Sequence, residues 1–248
     1  MTLEQFFAGN REVAVAFSGG VDSAYLLYAA KRYAARVKAY YVSTAFQPAF
    51  ELADARRLAD ELGADMLVLH VDVLSNSAVT ANPSDRCYHC KNTLFRQILR
   101  AAENDGFPVL LDGTNASDDA GDRPGMRALR ELSVRSPLRE CGLTKAEIRR
   151  LSREAGLFTW DKPAYACLST RIRTGEEITL QKLKQTEKAE GFLFGLGFRD
   201  FRVRMVGNTA KLELREADLP LLLENREKIV TELRKDYDSV LLNLEVRK

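Results

Sequence analysis

The stretch Glu12-Val13-Ala14-Val15-Ala16-Phe17-Ser18-Gly19-Gly20-Val21-Asp22-Ser23-Ala24-Tyr25-Leu26 decides the fold. Residues 12–17 are mostly apolar and suit a short strand buried in a parallel sheet. From residue 21 to about 35, Tyr25, Leu26, Tyr28 and Ala29 recur at helical spacing. Between strand and helix lies Ser18-Gly19-Gly20-Val21-Asp22-Ser23. Glycines let the backbone bend tightly and approach a ligand, and a helix start aims free N–H groups and a positive dipole at an anion. Ser18 and Ser23 add hydroxyl donors. Asp22 would repel a phosphate unless a divalent cation lay between them, which points to Mg²⁺. No lysine follows the glycines, so this is not the G-x-x-x-x-G-K-[ST] loop. The bland alternative is a strand-to-helix turn with a serine cap.

Outward from this loop, strands and helices alternate. Residues 37–42 (VKAYYV) read as a second strand. Pro48 opens a helix and Gly63 closes it, with Leu52, Ala55, Leu58, Ala59 and Leu62 on one face. Residues 66–71 (MLVLHV) are a third strand, 91–104 a helix and 109–112 a fourth strand. The pattern predicts β-α-β units around a parallel sheet, with binding residues on loops beyond the strands' carboxyl ends. After a helix over 144–155 the character changes. A polar, proline-bearing stretch leads through Cys167 to a helix near 178–194. Two strand-like runs, FRVRMV and AKLELR, follow around a Gly207-Asn208 turn that suits an antiparallel hairpin. A helix near 217–236 and a strand, SVLLNLEV, finish the chain. The expectation is an α/β parallel-sheet domain over 1–170 and a smaller α+β domain over 171–248, the latter for substrate binding or oligomerisation.

The 248 residues are 46% hydrophobic and 29% charged, enough apolar material for a core. The net charge of +2 and a pI near 8.3 fit poorly with a dedicated nucleic-acid binder. No apolar run reaches the roughly 18 residues of a membrane helix, and the N-terminus lacks a signal-peptide pattern. Four cysteines are too few for a disulfide scaffold, so the expectation is a cytoplasmic enzyme with reduced thiols.

Further sites carry chemistry. Asp112-Gly113-Thr114-Asn115 ends the fourth strand and reads either as part of a nucleotide site or as an Asp-Gly turn. Arg86-Cys87-Tyr88-His89-Cys90-Lys91 is a C-x-x-C at a helix start, where the dipole lowers thiol pKa. Cys167 lies far along the chain, on another loop. Three thiols fit a zinc site completed by His70, His89 or Cys141, a redox pair that leaves Cys167 without a role, or an iron–sulfur cluster. Cys141 reads as a small buried residue. Arg202 and Arg204 are two apart on a predicted strand and project from one face, which suits a phosphate monoester or a solvated surface. Arg171 is a further anion candidate.

The hexapeptide of residues 18–23 resembles the signature of the ATP pyrophosphatases, the PP-loop superfamily. The resemblance implies ATP held by Ser18, Gly19, Gly20, Asp22, Ser23, Gly113 and Thr114, with Asp22 on Mg²⁺. It also implies attack of a substrate oxygen on the α-phosphorus, giving an adenylate that a nitrogen or sulfur nucleophile displaces. NPSDRCYHCK, DGTNASD, SPLRECGLTKAEIRRLSREAGL and WDKPAYACLSTRI together resemble the LarE family, sulfur transferases of nickel-pincer (lactate racemase) cofactor synthesis. The phosphate loop is specific only to the superfamily, and the WDKPAYACLSTRI segment is the diagnostic one. The family's substrate is pyridinium-3,5-biscarboxylic acid mononucleotide, whose adenylated carboxylate becomes a thiocarboxylate. One branch sacrifices a cysteine that matches Cys167, while the other holds a [4Fe-4S] cluster on three cysteines. Here Cys87, Cys90 and Cys167 give the three-cysteine pattern, with sulfur expected from an external sulfide donor through the cluster or from Cys167 itself. The resemblance also places substrate-phosphate arginines at Arg202 and Arg204, and a family carboxylate at Glu190. The expected partners are a small nucleotide substrate, a sulfide donor and further copies of the chain. The alternatives are a PP-loop tRNA thiolase and a nucleotide-binding protein without turnover.

Overall fold

The computed structural model describes residues 1–118 and 124–247. Packing divides them into two units, residues 1–73 with 85–164, and residues 74–84 with 165–248.

In the first unit, a capping box between Thr2 and Gln5 starts α1 (Leu3–Gly9). Strand β1 (Glu12–Ala16) leads into α2 (Val21–Tyr33), followed by β2 (Arg36–Ser43), α3 (Ala49–Glu61) and β3 (Met66–His70). The segment given to the second unit contributes α4 (Ser77–Thr80). The first unit resumes with α5 (Arg86–Asn104), β4 (Leu110–Leu111), α6 (Pro124–Glu131), α7 (Pro137–Glu140) and α8 (Lys145–Glu154). The last of these is started by the Thr144/Glu147 capping box. All four strands are parallel, in the order β3-β2-β1-β4. The expected parallel-sheet α/β architecture is therefore the one present. Alternation along β1 feeds two apolar layers. Val13 and Val15 join Leu26, Leu27, Leu58, Leu138 and Ile148 on one face, while Ala14 packs with Tyr40, Ile98 and Leu110 on the other.

The strand order reverses at β1, flanked by β2 on one side and β4 on the other. Loops leaving the carboxyl ends of β1 and β4 thus diverge there, the usual ligand crevice of such sheets.

In the second unit, α9 (Leu180–Gly195) is capped by Thr179, whose hydroxyl accepts from the Lys182 N–H. Strands β5 (Arg202–Val206) and β6 (Thr209–Glu213) form the expected antiparallel hairpin around Gly207, which takes φ +57°. Then come α10 (Leu219–Glu224), α11 (Arg226–Leu233) and β7 (Ser239–Leu242), which pairs parallel with β6. The single helix expected over 217–236 is two helices, broken at Asn225, whose side-chain amide donates to the Leu221 carbonyl. Residues 74–84 join this unit through backbone bonds from Gly175 to Asn82 and from Ile178 to Thr80, together with the Asn82 amide on the Arg173 carbonyl. Nothing local in the sequence signals that union.

Candidate functional site

The loop after β1 is closed by its own hydroxyls. Ser23 Oγ donates to the Gly20 carbonyl at 3.1 Å, accepts from the Ser18 N–H at 3.2 Å and lies 3.0 Å from Ser18 Oγ. Gly19 takes φ +74°, a conformation that side chains disfavour, with Ala55 Cβ 3.3 Å from where its own Cβ would stand. Gly20 caps α2 without any side-chain bond to the helix start. The first N–H groups of α2 are thus left for an anion.

Gly113 follows β4 and packs directly on that helix start. A Cβ on Gly113 would lie 2.9 Å from the Ser23 nitrogen and 3.1 Å from its Cα. Asp112 is buried, and its carboxylate accepts from the Thr114 hydroxyl and the Ser136 hydroxyl, both at 2.5 Å. The Asn115 side chain orders the same turn by accepting from the Ser117 N–H. The residues read from sequence as ATP-binding therefore meet at one sheet edge. Within that group, Gly113 provides close approach, and the Thr114 hydroxyl serves Asp112.

Asp22 sits in the first turn of α2. Its Oδ2 accepts from Lys145 Nζ at 2.6 Å, and its Oδ1 is buried without a hydrogen-bond partner. Burial raises its pKa, opposed by the bond and charge of Lys145 and by the nearby Asn115 amide, and reinforced by Asp118. A buried carboxylate oxygen lacking a donor, near a second carboxylate, suits a hard cation such as Mg²⁺. A second lysine, Lys162, reaches the same loop. Its Nζ lies 2.7 Å from Asp54, 3.5 Å from Glu51 and 3.5 Å from the Gly19 carbonyl. Burial raises the Glu51 pKa against the pull of Lys162. Neither lysine was singled out from sequence. Lys145 had a readable signal, being a cation at the first position of a capped helix, where the dipole disfavours it.

Cys87 and Cys90 are the second and fifth residues of α5, three apart and so on one helix face. Arg86 Nη2 is 3.7 Å from Cys87 Sγ. None of the four cysteines forms a disulfide, and Cys141 is half-buried at the end of α7, where burial raises its pKa. Among the described residues no group of three His, Cys, Asp or Glu side chains gathers as a metal site.

Cys167 belongs to the second unit and caps a 3₁₀ turn, Leu168–Arg171. Its Sγ lies 3.0 Å from Ser169 Oγ. Arg171 is fully buried, and its guanidinium is committed to protein. Nε and Nη2 bond the two oxygens of Glu190 at 2.8 and 3.0 Å, and Nη1 reaches Thr170 Oγ1 and the Ala166 carbonyl. Burial opposes its charge, but the bonds and charge of Glu190 prevail and hold its pKa above the ordinary value. The anion-ligand reading of Arg171 thus meets a side chain whose donors already have acceptors. Arg202 turns inward over the Tyr165 ring, with Nη1 on the Phe201 carbonyl, and its pKa is lowered by burial and by Arg171 and Arg247. Arg204 is more open. It bonds Glu213 at 2.8 Å and the Thr170 carbonyl at 2.6 Å, and lines a cleft of about 410 Å³ with Arg173 and Lys211.

A reversed parallel sheet with a serine-glycine loop and a buried aspartate at its switch point defines a PP-loop ATP-utilising domain. The asparagine synthase family model matches residues 4–118, which cover that sheet. The chain is 33% identical over 226 residues to a pyridinium-3,5-bisthiocarboxylic acid mononucleotide synthase of Lactiplantibacillus plantarum, covering 90% of this chain and 82% of that protein. It is 39% identical over 215 residues to an uncharacterised Synechocystis protein, covering 86% of this chain and 80% of that one. A tRNA-specific 2-thiouridylase of Thermotoga petrophila is more distant, 27% identical over 59% of this chain and 52% of that one. The chain belongs to the LarE family of pyridinium mononucleotide synthases. No helix among the described residues is long and apolar enough to cross a membrane.

Proposed function

We propose that this protein is an ATP-dependent, AMP-forming sulfur transferase acting on pyridinium-3,5-biscarboxylic acid mononucleotide. The observation that carries the reading is the likeness over 90% of the chain to a pyridinium mononucleotide synthase. In the reaction, a substrate carboxylate oxygen attacks the α-phosphorus of ATP and pyrophosphate leaves. The first N–H groups of α2 and the hydroxyls of Ser18 and Ser23 bind the departing phosphates, and Lys162 adds positive charge beside them. Asp22 Oδ1 would hold Mg²⁺, which would supply neutralisation of charge on the phosphates. The acyl-adenylate is then opened by sulfur, releasing AMP and leaving a thiocarboxylate. Arg204, Arg173 and Lys211 bind the nucleotide's phosphate in their cleft.

Cys87, Cys90 and Cys167 are the proposed ligands of a [4Fe-4S] cluster. Cys87 and Cys90, one helical turn apart at the start of α5, would each hold an iron, and Cys167 is the third cysteine of the pattern that the sequence resembles. With three protein thiolates, such a group would supply a site for sulfide from an external donor. Sacrifice of the Cys167 sulfur is the competing route. The lactate racemase cofactor would be the product's destination, and assembly into a homo-oligomer and a cytoplasmic location complete the reading. The test is anaerobic incubation with ATP, Mg²⁺, sulfide and the pyridinium substrate. Chromatography should find AMP and mass spectrometry a thiocarboxylate. AMP formation with no carboxylate offered, or only with tRNA, would remove the assignment.

A further inference from the structure

Cys167 sits in the middle of a short segment whose two ends meet on one buried carboxylate. At one end, the Tyr165 hydroxyl donates to Glu190 Oε2. At the other, Arg171 forks onto both oxygens of Glu190, with side chains 0% and 1% exposed. The Val203 N–H also donates to Glu190 Oε1, at 2.9 Å, which ties the carboxylate to β5. The remaining guanidinium arm turns back under the cysteine, with Nη1 3.0 Å from the Ala166 carbonyl, 3.5 Å from the Cys167 carbonyl and 2.8 Å from Thr170 Oγ1. The guanidinium also lies 4.8 Å from the centre of the Tyr165 ring. Thr170 closes the turn, its N–H and hydroxyl both donating to the Cys167 carbonyl.

A buried ion pair is seldom more stabilising than apolar packing of the same volume, so stability alone is a weak reason for this arrangement. Its geometry supplies a fixed backbone on both sides of one thiol. Only a planar fork with five donors can bond a carboxylate with two nitrogens and reach two backbone carbonyls with the third. A lysine could keep the Glu190 contact but not the carbonyl contacts.

We infer that Arg171 and Glu190 are positioning residues that hold the Cys167 thiol in place for sulfur transfer. The catalytic half of this inference rests on the proposed function; the geometric half does not. Neither residue touches the reacting atoms; both act through the backbone of the cysteine segment.

The experiment compares the native chain with Arg171→Lys and Glu190→Gln by two readouts. The first is the rate of Cys167 alkylation by iodoacetamide at fixed pH, with Cys167 followed by peptide mapping so that the other thiols stay native. Arg171→Lys should keep a cooperative melt yet raise the alkylation rate about tenfold or more, because charge-assisted carbonyl bonds are lost while the ion pair survives. Glu190→Gln should move the rate in the same direction. The second readout is kinetic: kcat for sulfur transfer should fall while KM for the nucleotide substrate stays within about twofold, the pattern of a lost orientation and not of lost binding. If either variant fails to fold, Tyr165→Phe provides the same test from the other end. It keeps the ring, removes one hydrogen bond and should change the alkylation rate about two- to tenfold. Native alkylation rates in the folded variants overturn the inference. Altered alkylation in a chain that transfers no sulfur, native included, leaves the geometric inference standing and removes the proposed function instead.

Discussion

Replacing Gly113 by alanine tests the join between the two loops that build the proposed nucleotide site. The added methyl would stand 2.9 Å from the Ser23 nitrogen, 3.1 Å from its Cα and 3.3 Å from the Asp22 carbonyl carbon. These are backbone atoms at the start of α2 and cannot swing aside like the end of a long side chain. Ordinary contact begins near 3.4 Å, so one strand end or one helix start must shift by about half an ångström. Overpacking of this kind costs about 1–3 kcal/mol. At roughly 2–4 °C per kcal/mol, the melting temperature should fall by about 2–12 °C. The shift falls on the N–H groups proposed to bind phosphate, so ATP affinity should also weaken about tenfold, near 1.4 kcal/mol. Gly63→Ala is the control. Its φ of +55° penalises a side chain, but no atom lies within 4 Å of the new Cβ. It should lose about 1–2 kcal/mol and bind ATP as the native chain does. Scanning fluorimetry and titration calorimetry with Mg·ATP read both effects. Native melting and native ATP affinity in Gly113→Ala would refute the reasoning.

Asp22→Asn should reduce AMP formation about 10²–10³-fold, read by chromatography, as expected for loss of a charged contact at the reacting phosphates. Burial raises the Asp22 pKa, so the folded chain keeps a proton at pH values where the unfolded chain has lost it. The stabilisation from protonated Asp22 is present below the unfolded value of 3.8 and is lost as pH rises through the folded one. The melting temperature of Asp22→Asn relative to the native chain should therefore rise between pH 4 and pH 7; a flat difference would contradict the sign. Arg204→Ala should weaken binding of the nucleotide substrate by about 1.5–3 kcal/mol and leave ATP affinity unchanged, by calorimetry. Cys87→Ala, Cys90→Ala and Cys167→Ala should each lose iron in elemental analysis of anaerobic preparations, and Cys141→Ala should not. Loss of one H₂S, roughly 34 Da, from the native chain after one turnover would favour the sacrificial route instead.

Several features were legible because they depend only on neighbours in the chain. The turn between β1 and α2 is one: a strand, two glycines, a hydroxyl and a helix start are contiguous, so the sequence alone places Ser18, Gly19, Gly20 and Ser23. The apolar run at 37–42 gave a strand because a parallel sheet buries both faces, and the run at 66–71 gave the edge strand β3, whose residues are half-buried or exposed. The turn at Gly207 and Asn208 gave the hairpin, since local backbone chemistry selects it. The break at Asn225 was not legible, because the helical apolar pattern runs through it.

The sequence by itself determined the class of sheet, the glycine turn between β1 and α2 and the Cys87/Cys90 pair, each from patterns among residues a few positions apart. Only the tertiary structure decided what each charge faces. Arg171 looked like an anion ligand beside a cysteine and proves to be sealed against Glu190, nineteen positions along. Lys145, at the first position of α8, meets Asp22, 123 positions away. Spacing along a chain fixes which residues share a strand or helix face, but a charge acts through space, and its partner is set by how the elements pack.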